Sequence, residues 1–227
     1  MLKLLLTVSV KTNFKINCKF DHHYYLHLFT MSEFWIYFEI GLKHILNVAD
    51  SDHLMFLIAL TVPYTFKDWK KLLLLVSIFS LGHSIAMLLS AFGFINIKVH
   101  LIEFLIPITI LGVAFFNLFT IGKSSKKEII SVIGFVTLFF GLIHGLGFAN
   151  YLKISLGGST QSKLLPLSEF ALGIEAAQII VVFVVLILSY IFQSFFRFSK
   201  FDWTIVMSAF VIKEIVPMIL SSEIWNR

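Results

Sequence analysis

The sequence predicts an all-α fold: one polytopic bundle of about six transmembrane helices, the first of them broken near residues 47–52. Three observations carry that expectation. The 227 residues are 58% hydrophobic and 14% charged, against about 45–50% apolar and 25% charged in an ordinary soluble domain. Mean hydropathy is +0.92, an excess that needs a nonaqueous solvent. Several apolar runs are each about 20 residues long, which matches a hydrocarbon core of about 30 Å.

Spans are predicted at roughly 34–60, 72–95, 99–121, 129–152, 164–192 and 203–221, separated by short loops carrying Gly, Pro, Lys and Ser. Residues 1–30 differ from the rest. Their apolar stretch Leu4–Val10 is flanked by Lys3, Lys11 and Lys15 and lacks a small-residue cleavage pattern, so it makes a poor signal peptide. Met31 is the expected start, because MSEFWIYFEIGLKHIL runs straight into the first span; residues 31–227 then form a single transmembrane domain and 1–30 an extension outside the native protein. His22, His23 and His27 carry little weight on this reading. Trp35, Trp69, Trp203 and Trp225 fall near predicted span ends, where interfacial indoles concentrate.

The net charge of +5 does not point to nucleic acid, since the lysines sit in short loops rather than on one basic face. They read as topology signals in a lipid bilayer. Lys67, Lys70, Lys71, Lys123, Lys126, Lys127, Arg197 and Lys200 fall on one side of a six-helix chain, and Lys98, Lys153, Lys163 and Arg227 on the other. That asymmetry predicts N-out, C-out in a bacterial inner membrane; the four lysines of residues 1–30 would cancel it if ordered. The single cysteine, Cys18, excludes an intrachain disulfide and any multi-thiolate metal site, which leaves nitrogen and oxygen ligands.

An ionisable side chain in hydrocarbon is costly unless it faces a partner or a cavity. The first span holds His44, Asp50, Asp52 and His53, the second His83 and Ser84, the third Glu103 and Asn117, the fourth His144, the fifth Glu175 and Gln178, and the sixth Lys213 and Glu214. Counted from the predicted outer ends, His44, His83, His144 and Glu175 lie about 8–12 residues deep, on the order of 12–18 Å at 1.5 Å rise. One midplane binding site requires such agreement.

In a continuous helix His44 and His53, nine residues apart, would face opposite ways at about 100° per residue. Asn47, Asp50, Ser51 and Asp52 all compete with helical hydrogen bonding. A break near 47–52 is therefore expected, of the kind tolerated where backbone lines a cavity, and it brings His44, Asp52 and His53 together. Other polar residues have structural readings. Glu39 and Lys43 are expected to form an i,i+4 ion pair. Lys213 is expected to neutralise a carboxylate such as Glu175. Gly141 and Gly145 around His144 are expected to allow close helix packing, and Asn117 to bond between helices.

Imidazole with carboxylate suits a borderline divalent ion such as nickel, cobalt, zinc or copper. No nucleotide-binding Gly loop or ATPase domain appears in the sequence, so transport would run on a gradient or passive flow.

At these residues the sequence resembles the HupE/UreJ family of small membrane proteins, associated with nickel or cobalt uptake for hydrogenase and urease maturation. The segments are GLKHILNVADSDHLMFLIAL, FSLGHSIAMLLS, VHLIEFLIPITILGVAFFN, FGLIHGLGFA and FALGIEAAQ, spread over roughly 34–227. By resemblance His44, Asp52 and His53 match the family's His and Asp-His signature, His83 its Gly-His-Ser, His144 its Ile-His-Gly-Leu-Gly and Glu175 its Gly-x-Glu; Glu103 matches only loosely. Asp50 and Ser51 depart from the family, standing where Gly and Tyr are expected.

The resulting expectation is a metal permease, a secondary transporter rather than an enzyme. Its metal site is expected to draw on His44, Asp52, His53, His83, His144 and Glu175, with Ser84, Glu103, Asn117 and Gln178 in support. The alternatives are an intramembrane zinc-dependent hydrolase and a membrane protein that binds a metal or cofactor without transport. A metallochaperone or a second copy of the chain is left open as partner.

Overall fold

The structure, a computed structural model, describes residues 22–47, 51–95, 97–121, 127–155 and 164–226, with backbone alone for 22–33, 127–132, 148–155 and 226. Cys18, Asp50 and most of the 1–30 extension lie outside the described residues, as do the side chains of His22, His23 and His27.

The described residues form seven α-helices: α1 His22–Leu46, α2 Asp52–Thr61, α3 Trp69–Ala91, α4 Val99–Thr120, α5 Lys127–Ser155, α6 Leu164–Ser194 and α7 Lys200–Leu220. Four segments are long and apolar enough to cross a bilayer, Phe66–Ala91, Val99–Thr120, Leu164–Ser194 and Lys200–Leu220; Asp52–Thr61 and Ile133–Gly147 are shorter apolar helical stretches. The chain is an integral membrane protein. Its outer surface carries large exposed apolar groups such as Phe119, Phe135 and Leu172, which belong against lipid.

Local chemistry sets several helix ends. Before α3, the Asp68 carboxylate accepts from the Thr65 hydroxyl at 3.1 Å and the Thr65 backbone N–H at 3.4 Å. Before α7, the Asp202 carboxylate accepts from the Ser199 hydroxyl at 2.6 Å and backbone N–H at 3.0 Å, while the Asp202 N–H donates to the Ser199 hydroxyl at 3.1 Å. Such reciprocal bonds satisfy amides that have no partner inside the helix. Trp69, Trp203 and Trp225 lie at or near helix ends as expected, but Trp35 stands within α1, because that helix extends back to His22.

The short helix α2 lies at the centre, packed against α4, α6 and α7. Seven of its ten residues are buried, from His53 to Thr61. Around it, α3 pairs with α5 and α1 with α6 through glycines. Gly141 lies on the Phe79 carbonyl, Gly145 on the His83 carbonyl and Gly82 on the Leu138 carbonyl; the rising register makes α3 and α5 parallel. Between α1 and α6 the approach is as close, with Gly41 on the Phe170 carbonyl and Gly173 on the Phe38 carbonyl.

The helix break falls where expected, between Leu46 and Asp52, and the chain turns back there. His44, at the end of α1, stands 4.5 Å in ring-centroid distance from His53 at the start of α2; nine residues of continuous helix would separate them by about 13 Å along the axis. α2 runs antiparallel to α3, since His53 meets His83 and Phe56 meets Phe79. α1 runs antiparallel to α6, with His44 beside Phe170. The first two helices are thus a hairpin rather than one kinked crossing.

Candidate metal centre

Four imidazoles meet at the hairpin tip. The His53 ring is 4.5 Å from His44, 5.5 Å from His83 and 5.2 Å from His144, and His44 is 6.0 Å from His83. His53 is 4% exposed, and His83 and His144 are fully buried. One ring nitrogen from each of His44, His53 and His83 lies within 4.8 Å of the others. A metal with nitrogen ligands at about 2.0–2.1 Å needs those nitrogens about 3–3.4 Å apart, so coordination would require the rings to draw closer.

The sequence explains the convergence. Gly82, Gly141 and Gly145 let α3 and α5 approach until a Cβ on Gly145 would stand 2.9 Å from the Ala86 Cβ, which presents His83 and His144 from adjacent helices to the same space. The break supplies the other two. His83 lies eight residues before the end of α3 and His144 eleven before the end of α5, so the cluster sits about 12–16 Å inside the helix ends on that side.

Hydrogen bonds assign the tautomer of His53. Asp52 Oδ1 accepts from His53 Nδ1 at 2.8 Å and from the His53 backbone N–H at 2.7 Å. An ionised carboxylate can only accept, so Nδ1 carries the proton and Nε2 keeps its lone pair. That Nε2 is buried with no hydrogen-bond partner among the described residues, as are both ring nitrogens of His83 and Nδ1 of His144. An unsatisfied buried polar atom costs about 1–3 kcal/mol. Several such atoms meeting at one point fit a set of metal donors. Asp52 is therefore placed to orient the His53 ring. Its place at the first turn of α2 also suits the positive end of the helix.

The remaining expected site residues stand apart from this group. On α6 the side chain at the level of the histidines is Phe170, 5.9 Å from His44, and Glu175 lies five residues farther along, about 7.5 Å. Glu175 accepts from the Ser77 hydroxyl at 2.7 Å. With Ser80, Ser84 and several leucines it lines a groove between α3 and α6. Lys213 does not reach it and instead donates to Glu214 at 2.6 Å. Glu103 is exposed on α4. Asn117 donates to the Ala59 carbonyl at 2.7 Å, joining α4 to the end of α2 as expected of an interhelical donor. Gln178 is fully buried, with neither side-chain polar atom hydrogen-bonded among the described residues. Glu39 and Lys43 form the expected ion pair at 2.6 Å.

Sequence reasoning passed over two residues. Glu169, 6% exposed, directly precedes Phe170 and lies at the level of the histidines. Thr109, 7% exposed, touches His144. Glu169 lies five residues inside the predicted fifth span, a signal that could have found it, whereas a threonine in a helix carries no signal of its own.

Residues 21–223 match a family model described as HupE / UreJ protein. Comparison with curated proteins and with solved structures gave no match.

Proposed function

The chain belongs to the HupE/UreJ family, and from that premise we propose that it is a membrane permease for a divalent transition metal ion, nickel or cobalt, bound in transit by His44, His53, His83 and His144. The observation that carries the reading is the buried convergence of donor nitrogens from α1, α2 and α3 within 4.8 Å. Imidazoles suit these metals, and Asp52 supplies a negative charge beside a dication in low dielectric. Gln178 and Thr61, buried and without hydrogen-bond partners among the described residues, lie eight residues beyond Phe170 and His53 respectively. Both are about 12 Å along from the cluster on the two packed helices α6 and α2, which suits a path onward.

The hairpin also changes the expected orientation. With α1 antiparallel to α2, the N-terminal end of α1 shares a side with Lys67, Lys127, Arg197 and Lys200. The orientation that follows is N-in, C-out, in place of N-out, C-out, with the histidines nearer the outer face.

Nickel or cobalt uptake into proteoliposomes tests the function. The expected result is flux in the wild type and its loss in His53→Ala and His83→Ala. Tight, stoichiometric metal retention with no flux would overturn the permease reading in favour of an intramembrane metal hydrolase.

A further inference from the structure

Resting on the metal-site reading above, we infer that Thr109 is a positioning residue: it fixes the His144 ring in the tautomer that presents Nδ1 to the metal, which makes His144 a fourth ligand beside His44, His53 and His83. Thr109 and His144 are both buried, at 7% and 0% exposure. The Thr109 hydroxyl has one proton, and it goes to the Ile106 carbonyl at 2.7 Å. At 3.3 Å from His144 Nε2, the same oxygen can then act only as an acceptor. Nε2 therefore carries the ring proton, and the lone pair resides on Nδ1.

Nδ1 of His144 is buried with no hydrogen-bond partner among the described residues. Its ring is packed edge-on against His53 at 5.2 Å and held by Phe56 and Phe79, each at 5.3 Å. The aromatic neighbours offer no hydrogen bond to a ring nitrogen acceptor. A metal beside His53 would take that lone pair by coordination. Thr109 thus does for His144 what Asp52 does for His53: each accepts a hydrogen bond from one ring N–H and leaves the lone pair on the other nitrogen. The two differ in charge, so the site would hold two imidazoles oriented by outer partners, one anionic and one neutral.

Cobalt(II) titration of the purified protein, followed by visible absorption, reads this directly, because the ligand-field bands report the number and kind of donors. Thr109→Val keeps the shape and removes the acceptor. It is expected to weaken cobalt binding about 10–100-fold and to shift the bands toward those of His144→Leu. Thr109→Ser is expected to restore both. In a His144→Leu background, Thr109→Val is expected to change nothing further, since the two residues act through one contact.

Wild-type bands and affinity in Thr109→Val overturn the inference while leaving the three-histidine site standing. An equal loss of affinity from Thr109→Val with and without His144 also overturns it and assigns the threonine to packing. A wild-type protein that binds no cobalt overturns both this inference and the metal reading beneath it.

Discussion

Helix α3 has two unlike faces, and the contrast between them separates a site from a surface. Toward α5 it presents Phe79, Gly82, His83 and Ala86, all buried, against Gly141 and Gly145. Toward α6 it presents Ser77, Leu81 and Ser84 to an open groove with Glu175 at its base. Both faces carry polar residues at membrane depth. On the first, backbone contact removes water and lipid, so an imidazole there has its nitrogens unsatisfied unless an ion supplies the partner. On the second, Glu175 already has a hydroxyl donor and the groove is open. Polarity at depth nominates residues; burial without partners selects among them.

The largest effect should follow from filling the tight face. Gly141→Val adds atoms where a Cβ already meets the Phe79 carbonyl and approaches the His83 amide nitrogen to 3.2 Å. Overpacking costs about 1–3 kcal/mol, and more where the obstacle is backbone. Loss of a monodisperse species on size exclusion, or a large fall in thermal midpoint, is expected. Gly112→Ala is the control: nothing lies within 4 Å of its Cβ, and in a helix it should stabilise by up to about 1 kcal/mol. Equal behaviour of the two variants would remove the packing account of the site.

Next in size is the hub. His53→Ala takes away the ring that meets the other three, and metal binding measured by calorimetry should fall below detection with the fold retained. Asp52→Asn should leave the ring in place but lose the anionic acceptor, for a loss of about 10–100-fold. If Asp52→Asn were as damaging as His53→Ala, Asp52 would be a direct ligand and not the residue that orients one.

How much of this was legible beforehand follows from the same contrast. Span positions from α3 to α7 were readable because lipid imposes length and apolarity on every crossing. The break at 47–52 was readable because Asn47, Ser51 and Asp52 compete locally with helix. That the chain turns back there was not, since a kink and a reversal use the same residues, and only packing against α6 decides between them. The depth argument brought three histidines to one level correctly, but on α6 it counted from an end without knowing the tilt or rotation of that helix. Phe170 and not Glu175 faces His44. Thr109 was invisible because its role depends on which neighbour takes its proton.

The smallest expected effect sharpens the comparison most. Glu175→Gln is nearly isosteric and keeps an oxygen for the Ser77 hydroxyl, now 2.7 Å away. Since Glu175 lies about 7.5 Å along α6 from the level of the histidines, its charge should add little to binding there, and cobalt affinity should change by less than about threefold, a difference of under about 1 kcal/mol. The cobalt bands should be those of the wild type. A tenfold loss with altered bands would mean that α6 rotates or slides on binding to bring Glu175 into the coordination sphere. An unchanged affinity with slower uptake would instead give the carboxylate a place on the route the ion takes, away from where it rests.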